Sequence, residues 1–213
     1  MEAERPVPQE ELADRGDGPP VEPRQAATVI LLREGAAALE VLLVQRNPAQ
    51  RFMGGAWVFP GGAVDPGEGE GHEAHRRAGV REVREEVGVT LPDRAGLVPF
   101  SRWITPAELR IRFDTHFFLA PLPEGAHPRV DGAECVDLGW FRPRRALDAG
   151  ARGELTLFFP TIKHLEQIEP FGSAAELLEW ARGRRVEAVE PRVVDDGEMA
   201  RIILPGERGY PAS

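Results

Sequence analysis

Between Gly67 and Val89 the chain reads Gly-Glu-Gly-Glu-Gly-His-Glu and then, seven residues later, Arg-Glu-Val-Arg-Glu-Glu-Val-Gly-Val. No proline interrupts Ala74 to Val87, and Gly88 stands where a helix would stop, so the pattern predicts a helix ending near Val87. Gly79 is expected to weaken its first turns. At about 100° per residue, Glu82, Glu85 and Glu86 fall within an arc of roughly 100°, while Val80, Val83 and Val87 gather on the other side. The expectation is one core-facing side and one acidic side. Three clustered carboxylates repel one another and raise one another's pKa values, and divalent cations among them offset that cost. Such hard oxygen donors suit Mg²⁺ or Mn²⁺. Arg81, one turn before Glu85, is placed for an i,i+4 pair. Taken alone, a Glu-rich run is more often a solvated helix face.

The whole segment resembles the Nudix hydrolase superfamily. Gly67, Glu73, Arg81, Glu82, Val83, Glu85, Glu86, Gly88 and Val89 fill the pattern G-x5-E-x7-R-E-U-x-E-E-x-G-U, where U is aliphatic. The likeness continues upstream through Trp57-Val-Phe-Pro-Gly-Gly62, where the superfamily usually carries a Pro-Gly-Gly turn. Counted from Gly62, the early glutamate falls on Glu68, separated from Arg81 by twelve residues rather than seven, as a short insertion would produce. Glu73 is the preferred early glutamate and Glu68 the alternate.

The resemblance implies an α/β fold, a Nudix-type α/β/α sandwich with a mixed sheet. It implies that Glu82, Glu85 and Glu86, with Glu73 and a Gly62 carbonyl, bind Mg²⁺ or Mn²⁺, and that Arg81 orients them. The general base is left among the box glutamates, Glu134 and Asp137. Hydrolysis of a diphosphate needs charge neutralisation, an in-line water and a group that activates that water. The Gly61-Gly62 turn can bring backbone N–H groups beside phosphate.

Leu42-Leu43 followed by Arg51-x3-Gly55-x3-Phe59-Pro-Gly-Gly62 resembles the coenzyme A diphosphatase branch of that superfamily. Ser101-Arg-Trp-Ile-Thr-Pro106, Arg112-Phe-Asp-Thr-His-Phe-Phe118 and Phe159-Pro-Thr-Ile-Lys-His-Leu165 resemble its acyl-coenzyme A members. The chain departs from that branch at Val44, Arg46 and Asn47, which replace small hydroxyl-type residues, and at Met53, which stands where a histidine is common. The implied reaction cleaves coenzyme A or acyl-coenzyme A to 3′,5′-ADP and the (acyl-)4′-phosphopantetheine. The alternatives are an ADP-ribose or NADH diphosphatase, or a nucleotide-sensing binding module with little turnover. Arg46, Arg51, Arg110 and Arg112 are candidate phosphate contacts. His72 and His75 are weaker metal candidates, and His116, in a strand among aromatics, reads more readily as a structural histidine.

At 213 residues, 42% apolar and 29% charged, the chain fits one ordinary domain with extensions. Residues 1–24 hold five prolines, seven acids and three arginines, and are expected to be a disordered tail; the domain is placed at 25–185 and an extension at 186–213, packed on the domain or on a second subunit in a homodimer. A formal charge of −9 disfavours nonspecific nucleic-acid binding but not a small nucleoside diphosphate derivative. Without a secretory signal or a membrane-spanning run, the chain is expected to be cytoplasmic, with no membrane partner. Cys135, the single cysteine, reads as a small buried hydrophobe.

Strands are expected at Ala27–Arg33, Leu39–Arg46, Leu97–Thr105, Arg112–Ala120 and Glu134–Phe141, and helices near Arg144, at Thr161–Glu169 and at Ser173–Arg182. Ser173-Ala-Ala-Glu176 resembles a capping box.

Overall fold

The computed structural model describes residues 19–36, 38–50, 53–92, 96–195, 200–208 and 210. Of the expected N-terminal tail, residues 1–18 lie outside the described residues, as does Arg51.

Aliphatic runs form β1 (Arg24–Glu34) and β2 (Leu39–Arg46), which pair antiparallel across the Gly35 turn. They pair only from Leu32↔Val41 to Glu34↔Leu39. Beyond that the two strands diverge, and each takes a new neighbour. β3 (Trp57–Val58) joins β2 at Val44 and Gln45, and β4 (Gly61–Ala63) joins β1 at Ala26 to Thr28. The sheet therefore forks, and the Gly61-Gly62 pair lies beside the fork. The other edge of β1 runs parallel to β6 (Phe113–Pro121), which pairs antiparallel with β5 (Val98–Ile104); β7 (Cys135–Phe141) closes the far edge of β2. Two-residue β8 (Ala188–Val189) lies parallel to β5, and β9 (Arg192–Asp195) and β10 (Ala200–Ile203) form a separate ribbon. The sheet is mixed, as expected.

Alternation along β1 divides the core in two. Ala27, Val29 and Leu31 face helix α1 (Gly71–Val87). Ile30 and Leu32 face α2 (Pro143–Ala151), α3 (Phe159–Ile168) and α4 (Ala174–Arg182). Each fully buried aliphatic side chain contributes about 1.5–3 kcal/mol. Two layers of helix thus enclose one sheet. The last helix is capped by Ser173, whose hydroxyl accepts from the Glu176 N–H, while the Glu176 carboxylate takes the Gly172 N–H.

Helix α1 ends as the sequence predicts, with Gly88 left-handed at φ 67°. It begins at Gly71, three residues before the proline-free run considered above. The expected separation of acidic and core sides needs correction: the buried stripe of α1 includes Glu82 and Glu86 together with Ala78, Gly79, Val83 and Val87. Gly79 is explained by packing, since a Cβ there would come within 2.9 Å of the Val29 side chain. Among the described residues, no helix is long and apolar enough to cross a membrane.

Candidate active site

The site is assembled where α1 crosses the fork. Arg81 is its organising cation. Its Nε–H donates to Glu68 Oε1 at 3.0 Å, Nη1 to Glu82 Oε1 at 2.7 Å and Glu85 Oε2 at 3.0 Å, and Nη2 to the Ala63 carbonyl at 2.8 Å. A longer contact from Nη2 reaches Glu68 Oε2 at 3.4 Å, so all five guanidinium donors are engaged. These carboxylates hold the Arg81 pKa well above its ordinary value against the opposing effect of burial.

The early glutamate facing Arg81 is Glu68, not Glu73. Asp65 to Glu68 make a tight turn in which the Asp65 N–H donates to Glu68 Oε2 at 2.7 Å, and this turn carries the Glu68 carboxylate back to Arg81. The Glu73 side chain is 64% exposed and, among the described residues, its ion pair is with Arg76 at 4.0 Å. The preference for Glu73 is therefore corrected: the inserted residues are spent in the turn, and α1 starts too early for Glu73 to reach the cluster.

Glu86 is almost fully buried and accepts the Gly61 N–H at 3.0 Å. Burial pushes its carboxyl up to about 7, with Glu82 adding repulsion and Arg46 opposing it. Glu82 is raised too, again mainly by burial, with Arg81 opposing. The cause of both shifts is desolvation first and carboxylate crowding second. Gly62 has no room for a side chain, since a Cβ there would lie 2.6 Å from the Glu82 carboxyl carbon. A Cβ at Gly61 would strike the Ala27 carbonyl at 2.5 Å. The Gly-Gly pair is thus required by the close approach of β1 and of the glutamates.

Arg46 lies on β2 and hydrogen-bonds Gln50; its buried Nε has no partner among the described residues, and its charge acts on Glu86 and Cys135. Cys135 is fully buried, and burial beside Glu86 raises its thiol pKa, so it packs as expected. Glu134 is exposed but acts electrostatically on Glu82. Its position is set by Asp131, whose carboxylate accepts the N–H groups of Ala133, Glu134 and Cys135 at 3.2, 2.9 and 2.9 Å. Asp131 was not anticipated; the Asp-Gly step before β7 was its only signal. Asp137 is exposed and binds the Leu138 N–H.

Two other groups belong elsewhere. Arg112 is buried and donates to the Thr105 and Val21 carbonyls and to Glu190, so it ties chain segments together and is not placed for phosphate; Arg110 is exposed. His75 bonds Gly71 O and Gln25 and stacks at 3.8 Å on His116. Burial lowers both histidines, His116 to about 4. His75 lies seven residues before Glu82, about 10 Å along the helix, so neither it nor His72 joins the carboxylates.

Among the described residues, no three acidic, histidine or cysteine side chains converge into a ready metal-binding group. Arg81 and the Gly61 N–H now hold the oxygens of Glu82, Glu85 and Glu86. The donor set nonetheless fits a hard divalent cation: it is all oxygen, partly buried, and carries a carboxylate that burial drives toward protonation.

The NUDIX domain family matches residues 22–160. The chain belongs to the Nudix hydrolase family. Nudix hydrolases generally need divalent metal ions. Human acyl-coenzyme A diphosphatase NUDT19 is 31% identical over 124 residues, covering 56% of this chain and 33% of the human protein. A Caenorhabditis elegans protein provisionally named nudix hydrolase 7 is 26% identical over 181 residues, 68% of this chain and 60% of the relative. The chain thus spans less than two thirds of the length of either relative. The crystal structure of a NUDIX hydrolase from Alicyclobacillus acidocaldarius superposes with a TM-score of 0.66 at 28% identity, over 78% of this chain and 98% of that one. This Nudix fold matches the mixed sheet and helices described above.

Proposed function

We propose that the Nudix site of this chain hydrolyses the diphosphate linkage of coenzyme A or acyl-coenzyme A, releasing 3′,5′-ADP and the (acyl-)4′-phosphopantetheine. The observation that carries the diphosphatase part is the hold of Arg81 on Glu82 and Glu85 next to Glu86, which the Gly61 N–H of the glycine turn fixes. The coenzyme A part is supported by the Phe59-Pro-Gly-Gly62 and Phe159-Pro-Thr161 segments and by the name of the human relative.

Glu82, Glu85 and Glu86 would hold Mg²⁺ or Mn²⁺, with the Gly62 carbonyl; when bound, the ion supplies charge neutralisation for the diphosphate and lowers the pKa of a water. Arg81 keeps Glu82 and Glu85 in position, and all of its own donors are already used. The Gly61 N–H orients the Glu86 carboxylate. Arg46, whose charge already acts on Glu86, meets a phosphate oxygen. Glu134, held by the Asp131 turn on the Glu82 side, accepts the proton of the attacking water.

The test incubates the protein with coenzyme A, acetyl-coenzyme A, ADP-ribose and NADH, with Mg²⁺, Mn²⁺ or EDTA, and identifies products by mass. We expect 3′,5′-ADP only with metal and only with Glu85 intact, judged against Glu85→Gln. Turnover of ADP-ribose or NADH alone would sink the coenzyme A assignment, and tight nucleotide binding without any turnover would sink catalysis.

A further inference from the structure

The chain has 26 basic Lys and Arg residues, and Lys163 is the only lysine among them. It stands on α3 at the edge of an aromatic group. Its Nζ lies 5.6 Å from the centre of the Phe159 ring, and Phe159 meets Trp103 edge-on at 6.1 Å. All three side chains are partly exposed.

Strand register connects this group to the glycine turn. Paired residues of neighbouring strands project to the same side of a sheet. One row runs Gly61↔Thr28↔Phe117↔Ser101, and the next runs Ala63↔Ala26↔Thr115↔Trp103. The face of Trp103 is therefore the face of Gly61, opposite the one that His116 presents to α1. Three strand spacings separate β4 from β5, about 14 Å. Helix α3 is anchored over this face. His164 hydrogen-bonds Ser101 at 2.6 Å and stacks on Phe117 at 4.1 Å, and its ring lies 6.3 Å from that of Phe59, two residues before Gly61. At the helix entrance the Trp57 N–H donates to the Thr156 carbonyl at 2.9 Å.

We propose that Lys163, with Phe159 and Trp103 beside it, binds the nucleoside end of the substrate, the ammonium taking a phosphate monoester on the ribose and the rings taking the base. This inference rests on the diphosphatase reading of the Gly61 side and names what selects its substrate. Partly exposed aromatic rings suit the edge of a planar base, and a compact ammonium with three rotatable donors suits a terminal phosphate. The present partner of Lys163 is Glu166 at 3.0 Å, an i,i+3 pair with side chains 33% and 37% exposed, which a phosphate dianion can displace. The ribose 3′-phosphate is the group that coenzyme A carries and ADP-ribose and NADH lack.

The lone lysine supplies its own reporter. Reductive methylation of the full-length protein with ¹³C-formaldehyde keeps the charge and labels Lys163 and the terminal amine; Lys163→Arg identifies which signal is which. Adenosine 3′,5′-bisphosphate is expected to shift the Lys163 signal at concentrations where 5′-AMP does not. In parallel, the kcat/KM of coenzyme A divided by that of coenzyme A lacking the 3′-phosphate should fall about tenfold in Lys163→Met, one charge-assisted contact, and recover in part in Lys163→Arg. Equal shifts with both nucleotides, no shift with either, or an unaltered ratio would overturn the assignment. A selective shift in a protein that leaves coenzyme A intact would instead overturn the proposed reaction and keep the binding site.

Discussion

The two faces of the sheet both bury ionisable groups, yet they handle them differently. On the α1 face, Glu82 and Glu86 pack closely against the Gly61-Gly62 turn, and burial drives their carboxyl groups toward the protonated state. On the α3 face, His164 is fully buried among Phe59, Phe100, Trp103 and Phe117, with Ser101 bonded to its Nε2, and burial lowers its pKa to about 3. Desolvation neutralises an acid by adding a proton and a base by removing one. The buried acids suit a cation, whereas burial keeps the histidine neutral. One arrangement is poised for ligand chemistry and the other holds a helix on a sheet.

The contrast is broken most severely by exchanging function for stability. Glu86→Gln should lower metal-dependent product formation about 10²- to 10³-fold, while the variant unfolds at a temperature no lower than the parent. A collapse in thermal stability with activity per folded molecule intact would reverse the roles given to Glu86 and His164. His164→Ala should do the opposite, costing about 3 kcal/mol in urea unfolding through cavity formation and an orphaned Ser101. A cost below about 1 kcal/mol would mean that the aromatic cage does not depend on the ring.

The smaller effect is in pH. Glu86 has its folded pKa raised, from 4.5 to about 7, so the folded state holds the extra proton between those values and metal-free stability from this group is lost as pH rises through 7. His164 has its pKa lowered from 6.5 to about 3, so its contribution is present above 6.5 and is lost as pH falls below it. In EDTA, the stability of Glu86→Gln relative to the parent should therefore grow between pH 5 and pH 8, by about 2 kcal/mol after relaxation is allowed for. A flat difference would show that the carboxyl is not desolvated. Metal affinity should weaken as pH falls through 7, because the cation must displace that proton.

Much of this was legible in the sequence, for reasons that differ by residue. The stop at Gly88 and a strand over Arg112–Ala120 follow from local rules, and the structure reproduces both, the strand running Phe113–Pro121. The i,i+4 contact of Arg81 with Glu85 was equally local. The choice between Glu68 and Glu73 was not, because it depends on how the inserted residues fold back, and counting residues measures path length rather than distance. The burial of Glu82 and Glu86 was missed because helical periodicity sorts residues by angle and cannot see that β1 and β2 diverge beneath one end of the helix. Arg112 gave no sequence sign that it would bridge Val21 and Glu190. His164 lay within a segment whose family likeness was plain, but its burial came only with the packing of α3.

The fork in the sheet bears on the order in which the molecule opens. β1 is flanked along nine residues by β6 and on its other edge first by β4 and then by β2. No single neighbour can leave and expose it entirely, whereas β8 pairs through two residues and β9 has, among the described residues, only β10 as a ladder partner. Native-state amide exchange should accordingly be slowest in the middle of β1 and fastest toward the C-terminal ribbon. The strand beneath Gly61 and Gly62 is then the last described part of the chain to meet water, and loosening at the periphery can proceed without disturbing it.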